Sequence, residues 1–94
     1  MDKMGKYDAM HKVLRELEDI KNSETSVLKK IAQIEAENIN YGFGLLDKSL
    51  PDVHDFSDKS IEAIDSIIND FTEFKNKFAK DNNLEEVEAD TTEA

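Results

Sequence analysis

Met10–Leu45, MHKVLRELEDIKNSETSVLKKIAQIEAENINYGFGL, is the stretch that decides the fold. Counted in sevens, Met10, Leu17, Glu24, Ile31, Asn38 and Leu45 form one column. Val13, Ile20, Val27, Ile34 and Tyr41 form a second, three residues further on. Only Glu24 and Asn38 interrupt the apolar and aromatic run, so the pattern is that of a helix with a narrow seam held for about five heptads. A seam of that length has to bury itself against other helices.

Two places along it are open to two readings. Asn22, Ser23, Glu24, Thr25 and Ser26 are poor helix formers and good caps. Yet Ile20 and Val27 stand seven apart across them, a phase that a loop would scramble, so one continuous helix is expected. Two helices joined by a short turn at residues 22–26, giving a monomeric three-helix bundle, is the alternative. Asn38 on the seam either fixes register and oligomer state or marks the end of the packed region and faces water. The second is expected.

Beyond the seam, the glycines of Tyr41-Gly42-Phe43-Gly44 each lower helix propensity by roughly 1 kcal/mol relative to alanine. The first helix either ends near Asn40 or reaches Leu46 with a bendable last turn; Leu45 and Leu46 keep the phase and favour the latter. Residues 47–55 contain the only proline, Pro51, and read as the main inter-helix loop. Ser57 then reads as the N-cap of a second helix, with Asp58 in its first turn and Phe56 and Ile61 at the spacing of a hydrophobic staple. Its apolar set is Ile61, Ile64, Ile67, Ile68, Phe71, Phe74 and Phe78, with Glu62, Asp65, Asp70, Glu73 and Lys77 on the outer face. Lys75, Lys77 and Lys80 gather near its end, as the helix dipole prefers, and Asp81-Asn82-Asn83 terminates it. Residues 1–6 should fray. Residues 84–94 hold five acids and no base and too few apolar groups to repay ordering. The expected organisation is therefore one α-helical hairpin domain over 1–83 and a disordered acidic tail over 84–94.

Charge narrows the function. The chain has 12 basic and 22 acidic residues, a net of −10, which argues against nucleic-acid binding and against anionic membranes. Half of that net charge lies in the tail. No stretch approaches the ~18 apolar residues of a membrane span, and Lys3 and Lys6 lead into no apolar core, so no cleavable signal is read. A cytoplasmic location is expected, with export by a route that needs no cleaved signal left open. The absence of cysteine removes disulfides and thiolate metal sites.

Little points to chemistry. His11 lies beside the first seam without an acid and nucleophile around it. His54 stands near Asp52, Asp55 and Asp58, where carboxylate and imidazole can share a zinc ion, but the spacing matches no defined site, and solvated turn residues are expected instead. Carboxylate pairs such as Glu35 with Glu37 or Asp65 with Asp70 fall on wet faces. Gly42 and Gly44 lack the strand and the Lys-Ser/Thr of a phosphate loop. No catalytic residue, metal or cofactor is expected, and the chain does not read as an enzyme.

Assembly is the remaining theme. A first helix of about 35 residues would run ~50 Å and a second of about 25 residues ~35 Å. Folded antiparallel, the pair leaves apolar flanks wet, because Leu14, Leu28, Ile67 and Phe74 widen the stripe beyond a two-stranded seam. Two hairpins closing into a four-helix bundle, as a homodimer, would cover them, and a heterodimer with another helical protein satisfies the same physics. The expected function is a non-enzymatic interaction or assembly module (adaptor, chaperone or accessory factor). Its seam is Met10, Val13, Leu17, Ile20, Val27, Ile31 and Ile34 on the first helix and Ile61, Ile64, Ile68, Phe71, Phe74 and Phe78 on the second. Tyr41 and Phe43 form either a hinge closing the hairpin or a recognition turn. One alternative is an acidic inhibitor imitating nucleic acid on a basic protein cleft. A further alternative rests on a resemblance: Tyr41-Gly42-Phe43-Gly44 between two helices is similar to the turn of the small secreted helical-hairpin proteins that carry Trp-x-Gly. The chain departs from that pattern in having no tryptophan, and Phe78 to Asn82 stands where the Tyr-x-x-x-Asp/Glu export signal would be.

Overall fold

The computed structural model describes residues 2–84. It contains two α-helices, α1 over Lys3–Tyr41 and α2 over Gly44–Asp81, which form a helical hairpin around Gly42 and Phe43. The described residues contain no strand. The expected tail beyond Leu84 lies outside the described residues.

The start of α1 is held rather than frayed. Asp2 Oδ1 accepts the Gly5 N–H at 2.7 Å, which gives one of the free N-terminal amide donors a partner. The helix then runs without interruption through Asn22–Ser26. Thr25 does not cap a new helix; its hydroxyl donates back to the Lys21 carbonyl at 2.8 Å, a bond that a helix interior accommodates.

The turn is much tighter than residues 47–55 predict, and Asn38 is the reason. Gly42 adopts φ +69°, and its N–H donates to the Asn38 carbonyl at 2.7 Å, the left-handed stop that glycine accommodates best. The Asn38 side chain closes the rest. Its Oδ1 accepts the Phe43 N–H at 3.0 Å, and its Nδ2 donates to the Phe43 carbonyl at 3.1 Å and to Asp47 Oδ1 at 2.8 Å. Asn38 is thus only 2% exposed, the opposite of the water-facing position expected for it. Phe43 accepts the Asp47 N–H at 3.2 Å and so opens α2.

Pro51 consequently lies inside α2. It removes the amide that would bond the Asp47 carbonyl, at a place where Asp47 and Pro51 are both exposed. Ser57 is not an N-cap either. It is buried in mid-helix, and its Oγ has no hydrogen-bond partner. Phe56 is 70% exposed and staples nothing. A buried hydroxyl without a partner is destabilising, so Ser57→Ala is expected to raise stability by about 1–2 kcal/mol, read as a higher urea midpoint at unchanged slope. At the far end, Leu84 N–H donates to the Ala79 carbonyl at 2.7 Å and Asn83 N–H to the Lys80 carbonyl at 3.3 Å, with Asn83 at φ 58°. That is a Schellman stop with asparagine in the left-handed position.

The described residues divide into two compact units, residues 19–65 and residues 2–18 with 66–84. In the first, α1 and α2 leave the turn antiparallel, tied by Asn38 to Asp47, Glu35 to His54 and Lys21 to Asp65. In the second, the buried groups are Tyr7, Met10, Lys75 and Ala79. The Lys75 Nζ lies 5.9 Å from the centroid of the Tyr7 ring, within the range of a cation–π contact, and His11 meets the same ring edge-on at 4.7 Å.

Candidate functional site

Burial splits the predicted seam in two. On α1 the inward columns are Met10, Leu17, Glu24, Ile31 and Asn38, together with Tyr7, Leu14, Lys21, Leu28 and Glu35, one step past Val13, Ile20, Val27 and Ile34. On α2 they are His54, Ile61, Ile68 and Lys75 with Leu50, Ser57, Ile64, Phe71 and Phe78. Lys21, Glu24, Glu35, His54 and Lys75 are thus charged or titratable residues at inward positions. Lys21 Nζ reaches Asp65 Oδ1 at 2.7 Å, His54 Nδ1 donates to Glu35 Oε1 at 2.7 Å, and Lys75 Nζ lies over the Tyr7 ring. Asp65 and Glu35 are therefore half-buried and paired with α1 and α2 partners rather than lying on fully wet faces, and His54 is a helix residue rather than a solvated turn residue. The Lys21–Asp65 pair is more than a third exposed on both sides and contributes under about 1 kcal/mol.

His54 has a pH consequence. Its hydrogen bond to Glu35 raises its pKa above the ordinary 6.5, and the charges of Glu35, Asp58 and Asp55 add to this against the opposing effect of desolvation. Asp58 Oδ2 stands 3.6 Å from Nε2. The stabilisation is therefore complete below about 6.5 and is lost as pH rises through the higher folded-state value. Wild type should exceed His54→Gln in stability at pH 6, and the difference should shrink by pH 9, measured by urea unfolding at both pH values. A difference that grows with pH would overturn this assignment.

The remaining apolar column is exposed except at Ile34, which is half-buried. Val13, Ile20 and Val27 are 38%, 47% and 49% exposed. Positions one step before an inward column flank a coiled-coil seam, and in an antiparallel pair those of both helices fall on the same side. In the 19–65 unit that flank carries Ile20, Val27 and Ile34 from α1 and Val53 from α2, with exposed Phe56 one turn beyond Val53. In the other unit the same positions are Val13, Ile67 and Phe74, all exposed, with Phe74 stacked on Phe71 at 5.6 Å. Phe56 and Val53 were not among the predicted seam residues, because the stretch around Pro51 reads as loop.

The family model that matches this chain is described as Nucleotide-Binding Domain 94 of RH and covers residues 1–82. The chain belongs to that family. The Nucleotide-Binding Domain 94 match takes in both helices and the turn between them. No curated protein and no solved structure matches the chain.

Two other features of this Nucleotide-Binding Domain 94 member bear on ligands. A small cavity of about 100 Å³ beside the turn is lined by Glu35, Asn38, Leu46, Asp47, Leu50 and Pro51. Among the described residues no group of three His, Cys, Asp or Glu side chains converges on a metal position, and no helix is long and apolar enough to cross a membrane. The turn itself presents Ile39, Tyr41, Phe43 and Leu45, all exposed, with the Tyr41 and Phe43 rings 5.9 Å apart. The two turn aromatics therefore close no core. They lie in the stretch that carries the resemblance to the Trp-x-Gly hairpins.

Proposed function

We propose that this chain is a non-enzymatic helical interaction module whose working surface is the apolar flank of the hairpin. The observation that carries the reading is the exposure of Ile20 and Val27 next to an inward seam already occupied within the chain. Exposed apolar residues in a row, unlike scattered ones, favour a partner. A helical partner would cover them with the same heptad spacing. The acid-mimic alternative is weaker, because acids such as Asp65 and Asp55 are held by Lys21 and Lys59 rather than arrayed for a basic cleft.

The test is the double variant Ile20→Asp/Val27→Asp against wild type, by circular dichroism and by light scattering behind size exclusion. Helicity should persist while association is lost. A double variant that binds itself or a captured helical protein as wild type does would sink the reading.

A second reading comes from the family's name, which carries nucleotide binding. The cavity by the turn is smaller than the ~300–1,000 Å³ of ordinary ligand sites, and Glu35 and Asp47 in its lining repel phosphate. Calorimetric titration with magnesium ATP decides it: saturable heat supports a nucleotide site, and its absence at millimolar ligand excludes one of biological strength.

A further inference from the structure

Two interruptions lie close together in α2. Pro51 offers no amide to the Asp47 carbonyl, and its ring disfavours helical backbone at Leu50 before it. Ser57 is buried with its Oγ unpartnered. Other hydroxyls inside the helices are satisfied: Thr25 and Thr72 donate to the carbonyls four residues back, at 2.8 and 2.6 Å.

The segment between the two interruptions is weakly held. Within residues 51–56 only His54 is half-buried, and the others are exposed. His54 is tied to α1 through Glu35. The Asp55–Lys59 ion pair, at 3.0 Å, stays within α2. Beside Leu50 and Pro51 the packing leaves the cavity of about 100 Å³ unfilled. Few buried apolar contacts mark a segment that opens locally, without unfolding of the whole.

We propose that residues 51–56 form a hinge that opens out of α2 while residues 44–50 stay tied to Asn38, and that Ser57 is the N-cap of the helix that remains. The residues for that second start are in place. In the open form the Ser57 hydroxyl accepts the N–H of Lys59 or Ser60. Asp58 falls in the first turn, where the helix dipole favours an acid. Phe56 and Ile61 take the spacing of a hydrophobic staple. Phe56 is already 70% exposed in the closed form, so folding it over Ile61 covers apolar surface. Opening gives the Ser57 hydroxyl a partner and takes Pro51 out of a helix interior. It costs the backbone bonds of about two turns and the Glu35–His54 pair, so the closed helix is the major form.

Val53 and Phe56 belong to the same apolar flank as Val27, and opening withdraws them from it. A partner that covers all three binds the closed form and holds the hinge shut. This consequence rests on the association reading above, and the hinge itself does not.

Amide hydrogen exchange on the full chain in dilute solution, followed by nuclear magnetic resonance, tests the hinge with no partner present. Protection factors at residues 53–58 should be at least tenfold below those at residues 28–34 of α1. Low urea should leave the former unchanged, because a local opening exposes little surface. Ser57→Ala removes the cap from the open form, and should raise protection at 53–58 about fivefold more than at 28–34, the scale of a lost cap. Equal protection of the two sets in wild type would overturn the hinge. Equal gains at both sets in Ser57→Ala would overturn Ser57 as its cap. Failure of the association reading would leave these exchange rates untouched.

Discussion

Asn38→Asp is expected to destabilise the hairpin by about 3 kcal/mol at neutral pH, the combined scale of two lost donor bonds, one of them to a carboxylate. An aspartate keeps the acceptor for the Phe43 N–H but cannot donate to the Phe43 carbonyl or to Asp47 Oδ1, which lie 3.1 and 2.8 Å from the asparagine amide. It also sets a second negative charge against Asp47 in a site that is 2% exposed at residue 38. Neighbouring carboxylates of this kind ionise together only at a cost, so part of the loss should return as pH falls toward 4. Urea unfolding at pH 7 and pH 4 checks both statements. Asn38→Ala removes the repulsion as well as the bonds and should show no such recovery relative to wild type.

The second large effect separates the two faces of α1. Ile31 is 7% exposed, and Ile31→Asp buries a carboxylate with no partner, which places it among the substitutions that cost more than about 4 kcal/mol. A hairpin of this size has only a few kcal/mol in hand, so loss of helical circular dichroism is expected. Val27 is four residues away on the exposed flank, where a carboxylate is solvated in the isolated chain. Val27→Asp should therefore keep the helical signal and lose association. Equal helix loss in dilute solutions of both variants would mean that the flank belongs to the core.

How much of this was legible in the sequence depends on which local signal competed. The continuity of α1 was readable because Ile20 and Val27 hold the heptad phase across Asn22–Ser26, and one inward column was readable from Met10, Leu17 and Ile31. The other was hidden. Tyr7, Leu14 and Leu28 share it with Lys21 and Glu35, while Val13, Ile20, Val27 and Ile34 form a cleaner apolar column one step away. Lys21 and Glu35 are tolerated inside because Asp65 and His54 answer them from α2, and a single helix cannot reveal a partner on another. The turn was misplaced because proline is the strongest punctuation in a sequence, whereas the network that fixes the turn is spread over Asn38, Phe43 and Asp47. Ser57 illustrates the same limit: its chemistry suits a cap, and only tertiary packing puts it in mid-helix. Residues that share one heptad seam in the sequence divide between a surface used within the chain and one left over, a distinction that depends on where the second helix lies.

The asparagine-tied turn also has a kinetic meaning. Closing two residues between helices costs far less chain entropy than closing ten, and the bonds from Asn38 join groups five and nine positions apart. Contacts so local form early, whereas Tyr7 and Lys75 must find each other across most of the chain. The hairpin should zip from the apex toward its ends. Substitutions at Asn38 should then slow refolding, while Tyr7→Leu should chiefly accelerate unfolding, a contrast that stopped-flow measurement of the two rates resolves directly.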